Sequence, residues 1–133
     1  MIVRTLKEVL GTQHDVTAPE KQWQSRRLLL KKDHLGFSLH DTIIYPNTET
    51  HIWYKNHLEV VYCIEGEGEV EVLSPEQKTY QISPGTVYVL NQHEKHVLRA
   101  KTQMRIICVF DPACTGTEVH GEEGAYPADD SRD

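Results

Sequence analysis

The sequence predicts an all-β fold made of short strands. From residue 26 onward, short apolar and β-branched runs follow one another closely. Turn-forming stretches separate these runs, and they read YPNT, EGEG, SPEQ and SPG. No segment of about 12 residues in this region shows the helical period of apolar residues. Short strands at such close spacing are typical of a sandwich or a small barrel.

The individual elements follow in order along the chain. Residues 3–11 predict an N-terminal strand or short helix, and residues 11–22 predict a loop. The runs expected to form strands are RRLLLKK, GFSLHDTIIY, HIWYKN, LEVVYCIEG, EVEVL, TYQI, TVYVL, HVLRA and MRIICVF. Residues 111–133 differ, because they contain seven acidic residues and a single basic residue, Arg132. We expect this tail to be either a flap over the domain or a disordered end.

Length and charge exclude several classes of protein. The 133 residues fit one compact domain, residues 1–133, and leave little room for a second. The net charge of −6, without a stripe of Lys and Arg, argues against a nucleic-acid partner. No apolar run approaches the roughly 18 residues of a membrane span, and the charged N-terminus does not resemble a secretory signal. We therefore expect a cytoplasmic protein whose partner is a small molecule or another protein.

The three cysteines do not indicate a disulfide scaffold or a zinc knuckle. They are Cys63, Cys108 and Cys114, an odd number without CxxC spacing. Disulfides are rare in a reducing compartment, so we expect free thiols.

A glutamate lies in the middle of an apolar strand. Alternation along residues 57–64 places Glu59, Val61 and Cys63 on one face. An unpaired carboxylate buried among such residues would cost several kcal/mol or change its protonation state. The sequence therefore predicts that some partner neutralises Glu59.

Two motifs around this strand resemble the signature motifs of the cupin superfamily. In the first, six residues separate Glu59 from Gly66, and GEG forms a tight turn. In the second, Pro84 and Gly85 open a strand, and His96 follows Gly85 by eleven residues. The resemblance implies a cupin-type small β-barrel, a jelly-roll-like double-stranded β-helix that holds a metal inside, with a short N-terminal element and a C-terminal tail closing its mouth.

The motifs depart from the usual cupin pattern in their histidines. Trp53 and Lys55 stand where two histidines usually precede the glutamate, and Ala100 replaces the usual final asparagine. Tyr88, on the strand that leads to His96, could complete a set of oxygen and nitrogen donors with Glu59 and His96. Such a set suits iron better than structural zinc, and the metal would neutralise Glu59. The alternative is that the tyrosine packs in the core and the histidine is exposed.

Longer stretches of the sequence closely resemble the ectoine synthase family. These stretches are SRRLLLKKDHLGFSLHDTIIYPNTETHIWYKNHLEVVYCIEGEGE, KHVLRAKTQMRIICVF and TGTEVHGEEGAYP, in the expected order over nearly the whole chain. The resemblance implies a cytoplasmic, iron-dependent cupin that forms a head-to-tail homodimer. Such an enzyme closes N-γ-acetyl-L-2,4-diaminobutyrate into ectoine, a compatible solute against osmotic stress, with loss of water.

The resemblance also implies residue roles. Iron, expected as Fe²⁺, would be held by Glu59, Tyr88 and His96. Catalytic roles fall to Tyr54, Glu118 and His120. Substrate contacts are expected from Trp23, Arg27, His40, Thr42, Cys108, Phe110, Glu118 and His120. The sequence departs from the family at residues 111–114, where DPAC replaces Asn-Pro-Pro-Leu, and at Leu39, which replaces an aromatic residue.

Several alternatives stay open at this stage. Arg27 follows Arg26, and such pairs are usually solvated, while Cys108 and Phe110 could simply pack in the core. Either Glu118 or His120 could take the proton of the substrate amine. Two other functions are a non-catalytic cupin that binds a polar metabolite through Arg27 and Glu118, and a cupin oxygenase.

Overall fold

The computed structural model describes residues 1–121 and 124–128. Residues 122, 123 and 129–133 of the predicted acidic tail lie outside the described part. One short helix, α1, spans Leu6–Val9, and a single 3₁₀ turn spans Lys31–Asp33 among the described residues. The strands are β1 Asp15–Thr17, β2 Trp23–Leu29, β3 Ser38–Ile44, β4 Thr48–Ile52, β5 Leu58–Glu65, β6 Gly68–Ser74, β7 Lys78–Ile82, β8 Val87–Leu90, β9 Lys95–Ala100 and β10 Met104–Asp111.

The strands form two antiparallel sheets around one core. The first sheet has six strands in the order β1-β2-β3-β10-β5-β8, and the second has four in the order β4-β9-β6-β7. Neighbouring strands pair antiparallel throughout, and buried residues of both sheets pack into one hydrophobic cluster between them. The predicted all-β, jelly-roll-like fold is confirmed, since double-sheet packing of this kind is its hallmark.

Side-chain alternation follows the sequence pattern on the strands that matter for the site. On β5, Glu59, Val61 and Cys63 are buried while Val60 and Tyr62 are exposed. The prediction that these three residues share one face is confirmed. The C-terminal strand β10 alternates in the same way over its whole length. Because the period of a strand is two, each strand of the first sheet delivers every second residue to the interior.

The boundaries of the predicted strands RRLLLKK and HIWYKN were wrong, and of HIWYKN only His51 and Ile52 belong to a strand, β4. The run RRLLLKK does not remain extended, since β2 begins earlier, at Trp23, and the chain turns at Lys31–Asp33. Asp33 explains the turn, because its carboxylate accepts a hydrogen bond from the backbone N–H of Leu30 at 2.9 Å. The same carboxylate binds Arg4 through two hydrogen bonds, of 3.0 and 3.1 Å. The N-terminal segment, which forms a helix rather than a strand, is thereby attached to the turn.

The described part of the tail packs against the body as a flap. The carbonyl oxygen of Gly124 accepts a hydrogen bond from the backbone N–H of Trp53 at 3.0 Å. The side-chain amide of Asn56 donates to the carbonyl oxygen of Tyr126 at 2.9 Å. The described residues of the tail are therefore attached to the body at Trp53 and Asn56.

No helix in the described ranges has the length and apolar character needed to cross a membrane.

Replacing Gly66 with alanine is expected to destabilise the fold by about 3 kcal/mol or more. Gly66 has a φ of +88°, and an added Cβ would overlap the carbonyl oxygen of Gln103 and lie 2.7 Å from the Cα of Met104. The matched control is Gly36→Ala, where φ is +82° but no atom lies within 4 Å of the added carbon. We expect this control to lose only about 1 to 2 kcal/mol. Chemical denaturation measures both, and equal losses would contradict the packing argument.

Candidate active site

A small chamber lies between the two sheets, and most of the predicted site residues line it. Its volume is about 30 Å³, and its walls combine aromatic rings with a few polar groups. The predicted residues on its wall are Trp23, His40, Thr42, Tyr54, Glu59, Tyr88, Cys108, Phe110 and His120. The structure thus brings together residues that are far apart in the sequence.

Strand register explains why these residues converge. On β2 and β3, Arg27 stands opposite His40, and both point to the interior of the first sheet. On β3 and β10, His40 stands opposite Cys108, and on β10 and β5 Phe110 stands opposite Glu59. Antiparallel neighbours at matching register place their side chains on the same face. The chamber is therefore lined by adjacent interior positions of one sheet.

Three predicted site residues do not line the chamber wall. Arg27 lies behind it, with its guanidinium 5.9 Å from the ring centroid of Trp23. His96 is buried on β9, and its ring centroid is 6.2 Å from that of Tyr54. Glu118 is buried in the tail and lies beside Arg27. All three lie in direct contact with the wall or with one another.

Glu59 is buried without a cation partner among the described residues. It is 5% exposed, and burial raises the pKa of its carboxyl group to about 8. The neighbouring thiol of Cys108 opposes this shift through a hydrogen bond but does not cancel it. A neutral Glu59 in the free protein is the direct consequence. The sequence predicts a partner that neutralises Glu59, and the burial of Glu59 indicates that this partner is a positive charge, which would stabilise the ionised carboxylate.

Tyr88 and His96 offer the donors that a metal would need beside Glu59. The Nδ1–H of His96 donates to the carbonyl oxygen of Glu94 at 2.9 Å, if the ring carries its proton there. Its other ring nitrogen, Nε2, is buried and has no partner in the described structure. This is the arrangement of a metal-binding histidine, whose second nitrogen is held by a backbone carbonyl. His96 is 1% exposed, so the alternative of a solvated histidine is wrong.

The phenol of Tyr88 lies in the electrostatic field of the same carboxylate. Burial, followed by the charge of Glu59, raises the pKa of Tyr88 well above its usual value. Only a cation at the site would reverse this effect. No cluster of three or more His, Cys, Asp and Glu side chains occurs in residues 1–121 and 124–128, so a metal here would depend on the phenol as its third donor. The donor set fits iron in its chemistry.

A hydrogen bond joins two predicted catalytic residues. The hydroxyl of Tyr54 lies 2.8 Å from Nε2 of His120. Burial, and then the charge of Arg27, lower the pKa of His120 to about 4, so its ring is neutral at pH 7. Burial also raises the pKa of Tyr54 well above its usual value, so its hydroxyl keeps its proton. The phenol therefore donates and the imidazole accepts.

Arg27 on β2 links the C-terminal tail to the first sheet through its contacts with Glu118. Its NH2 nitrogen donates to the carbonyl oxygen of Glu118 at 2.6 Å, and its NH1 nitrogen lies 3.7 Å from Oε1 of the same residue. NH1 has no hydrogen-bond partner among the described residues although it is fully buried. The expectation that Arg27 is solvated is wrong, because its side chain is 0% exposed.

Glu118 remains ionised despite its burial. Burial alone would raise its pKa, but backbone N–H groups of Gly116 and Thr115 bind the carboxylate and hold the pKa below its usual value. These hydrogen bonds measure 2.8 Å from Gly116 and 2.6 Å from Thr115. Glu118 therefore supplies a fixed negative charge beside Arg27.

Seven residues of the chamber wall were missed in the sequence, and two of them, Tyr126 and Ser25, contact predicted site residues. Tyr126 lines the chamber, stacks on His120 with ring centroids 4.8 Å apart, and lies 5.5 Å below the guanidinium of Arg27. Its one sequence signal is an aromatic residue within an acidic tail. Ser25 lines the chamber between the predicted pocket residues Trp23 and Arg27. Ser25 lies two residues from Trp23 and two from Arg27, so strand alternation predicts that all three side chains share one face.

Comparison with known proteins decides the family. The family model described as ectoine synthase matches residues 1–130.

The chain belongs to the ectoine synthase family.

Individual members of the ectoine synthase family resemble the chain over nearly its full length. An L-ectoine synthase from Desulfatibacillum aliphaticivorans is 59% identical over 127 residues, which is 96% of this chain and 97% of the relative. The crystal structure of ectoine synthase from P. lautus has a TM-score of 0.84 and 56% identity, and the match covers 100% of this chain and 96% of that one. These matches span both sheets and the pocket residues.

More distant structures share the fold alone. A putative ethanolamine utilization protein Q from Salmonella typhimurium has a TM-score of 0.63 at 20% identity, over 72% of this chain and 74% of that one. Such similarity supports the cupin-type architecture and says nothing further about the ectoine synthase site.

Glu59→Gln is expected to stabilise the metal-free ectoine synthase chain increasingly as pH rises. The folded carboxyl group has a pKa of about 8 and the unfolded one about 4.5. Between these values the folded state holds a proton that the unfolded state has lost, so wild-type stability falls with rising pH. Glutamine does not ionise, and we expect the difference to grow by on the order of 4 kcal/mol from about pH 5 to pH 9.

Denaturation with a chelator present, at a series of pH values, measures this difference. The matched control is Glu76→Gln, which removes a carboxylate from an exposed loop position. Parallel stability curves for wild type and Glu59→Gln would show that Glu59 does not retain its proton in the folded state.

Proposed function

We propose that this protein is an ectoine synthase, a hydro-lyase-type enzyme that converts N-γ-acetyl-L-2,4-diaminobutyrate to ectoine with loss of one water. The observation that carries the proposal is the chamber between the two sheets, where Nε2 of His40 and Oγ1 of Thr50, which have no partner in the described structure, lie among aromatic walls. A ligand pocket of this kind is apolar with a few placed polar groups. Membership of the family supplies the reaction.

The reaction needs a flexible chain to fold back on itself. The α-nitrogen of the substrate forms a bond to the acetamide carbon and gives a carbinolamine. The carbon–oxygen bond then breaks, the oxygen leaves as water, and a six-membered cyclic amidine remains. Orientation contributes strongly to such an intramolecular step, because the two ends must meet at the correct angle.

Arg27 and Thr42 hold the substrate carboxylate in the proposed complex. The NH1 group of Arg27 is a buried donor that has no partner in the described structure, and it lies close to the chamber wall. A guanidinium binds a carboxylate through parallel hydrogen bonds. The hydroxyl of Thr42 lies on the wall and can add a further donor.

His120 takes the proton of the α-ammonium group, and Tyr54 donates to the oxygen of the amide. His120 is neutral with its Nε2 lone pair directed at Tyr54, and Glu118 is held ionised by backbone donors. We assign the proton acceptor to His120, whose Nε2 accepts from the substrate ammonium group in place of the Tyr54 hydroxyl. Glu118 then balances the charge of Arg27. The Tyr54 hydroxyl keeps its proton, and when it exchanges its hydrogen bond to His120 for one to the substrate it can stabilise negative charge on the carbonyl oxygen.

Glu59, Tyr88 and His96 hold iron, expected as Fe²⁺, in this proposal. The buried carboxyl group without a cation and the buried Nε2 without a partner support the assignment. When bound, the metal supplies Lewis acidity toward the amide carbonyl. The thiol of Cys108 contributes packing rather than nucleophilic attack, because burial raises its pKa well above the usual value.

Aromatic rings exclude water from the chamber. Phe110 packs edge-on against Tyr54 with ring centroids 5.2 Å apart, and Trp23 meets His120 edge-on at 5.4 Å. A dry chamber favours a reaction that releases water and strengthens the electrostatic contacts inside it.

We also propose a cytoplasmic, head-to-tail homodimer, as the family resemblance implies. Exposed apolar side chains on the outer face of β5 and β8 support an association surface, and they are Val60, Tyr62, Val87 and Val89. A patch of this kind on a single chain is typical of a contact with another protein.

Anaerobic incubation of iron-loaded protein with N-γ-acetyl-L-2,4-diaminobutyrate tests the function, with NMR detection of the cyclic amidine. Glu59→Ala and a metal-stripped sample run in parallel, and Glu76→Ala serves as the matched control. We expect ectoine from wild type and from the control, and at least a 100-fold loss of rate in the other two samples.

Other outcomes separate the alternatives. Tight substrate binding without amidine would favour the non-catalytic binding protein, and oxygen consumption on substrate addition would favour the oxygenase. Equal turnover in the metal-stripped sample would remove the proposed role of Glu59 while leaving the reaction in place.

Tyr54→Phe is expected to lower kcat by about 100-fold with little change in KM. The variant keeps the ring contacts with Phe110 and Tyr126, at 5.2 and 5.1 Å, and loses only the hydroxyl that donates. Steady-state kinetics measure the effect, and Tyr80→Phe removes a hydroxyl from an exposed tyrosine as the control. An unchanged kcat would assign the donor role to another group.

A further inference from the structure

We propose that Ser25 is a positioning residue that fixes the tautomer of His40, so that Nε2–H of His40 donates a hydrogen bond to an oxygen of the substrate. The identity of the substrate rests on the proposed function. The tautomer rests on geometry alone and can be tested without any substrate.

Ser25 lies between two polar side chains of the chamber region. It is 2% exposed, on the interior face of β2, and its Oγ lies 3.1 Å from Nε of Arg27 and 3.3 Å from Nδ1 of His40. Arg27 and His40 stand opposite each other on β2 and β3. One hydroxyl therefore connects the guanidinium and the imidazole.

The direction of this chain follows from the donors. An arginine can only donate, so Oγ of Ser25 accepts from Nε–H of Arg27. The hydroxyl proton of Ser25 then needs an acceptor, and His40 Nδ1 is the one acceptor the described structure places within hydrogen-bond distance of Oγ. A neutral imidazole has one donor nitrogen and one acceptor nitrogen. If Nδ1 accepts, the proton of His40 resides on Nε2.

The surroundings keep His40 neutral. Burial, and then the charges of Arg27 and His57, lower its pKa well below the usual value. A charged ring would carry protons on both nitrogens and would break the chain at Nδ1. The neutral form is therefore the one that the Arg27–Ser25–His40 chain requires.

The donor at Nε2 is available to a ligand. His40 lines the chamber, and its Nε2 is buried without a hydrogen-bond partner in the described residues. Buried donors are nearly always satisfied, so an oxygen atom in the chamber is the natural acceptor. The proposed substrate carries such oxygens in its carboxylate and its acetamide. His40 then orients the substrate as a donor, and proton removal stays with His120.

Long-range ¹H–¹⁵N NMR of the full chain without added metal tests the tautomer. The spectrum distinguishes a protonated ring nitrogen from an unprotonated one, and a His40→Gln variant identifies the His40 signals by their loss. We expect Nε2 to be protonated and Nδ1 to be unprotonated in the wild type near pH 7.5. In Ser25→Ala, we expect the two nitrogens to shift toward each other as the tautomers mix.

The matched control is Ser38→Ala, another buried serine on the same sheet. Its Oγ accepts from the backbone N–H of Cys114 at 3.1 Å, and no hydrogen bond joins it to His40 in the described structure. A wild-type ring protonated on Nδ1 would overturn the proposal, as would an unchanged His40 spectrum in Ser25→Ala. If Ser25→Ala does not fold, the wild-type spectrum still decides the tautomer.

Kinetics provide the second readout. Loss of one ground-state hydrogen bond is expected to raise KM by about tenfold in Ser25→Ala, with a smaller change in kcat. Ser25→Thr, which keeps a hydroxyl, is expected to recover part of this loss. If no ectoine forms in wild type, the proposed function fails while the NMR result on His40 stands. Equal KM values for wild type and Ser25→Ala would remove the link from Ser25 to the substrate.

Discussion

The buried charge of Arg27 is the constraint on which the site depends. A guanidinium with no exposure loses its hydration, and hydrogen bonds and opposite charges of the protein must compensate most of that loss. The sheet supplies Ser25, the tail supplies the carbonyl and the carboxylate of Glu118, and the ring of Tyr126 lies under the cation. Because all of these partners except Ser25 come from the tail, the buried guanidinium of Arg27 depends on the tail lying against the sheet.

Much of the fold and part of the site follow from strand alternation. The period of two correctly placed Glu59, Val61 and Cys63 on one buried face. Alternation did not reveal where β2 ends. The chain turns at Asp33, whose carboxylate binds Leu30 and also Arg4 near the N-terminus, and a local pattern does not show this distant contact. Tyr126 was missed for a similar reason, since its burial depends on contacts made across the tail and not on a local pattern.

The unsatisfied polar groups inside the protein are the clearest functional signal. Among the described residues, buried nitrogens of Arg27, His40 and His96 have no partner, and Glu59 is buried without a countercharge. Stability alone would select against each of them, because a buried polar group without a partner costs free energy. Their concentration around one chamber indicates that the folded chain is optimised for an occupied state. The family resemblance identified these residues as site candidates, and their burial without partners gives a physical reason for a binding role.

The size of the chamber has a thermodynamic consequence. A cavity of about 30 Å³ has room for about two water molecules and is far too small for an acetylated amino acid. Entry of the proposed substrate therefore requires a conformation with a wider chamber. The apparent affinity of the protein for its substrate is then reduced in proportion to the fraction of molecules in the wider conformation. Once bound, the substrate occupies a chamber from which water has been displaced. Substitutions that loosen the tail would increase the apparent affinity for the substrate and lower the rate of the chemical step.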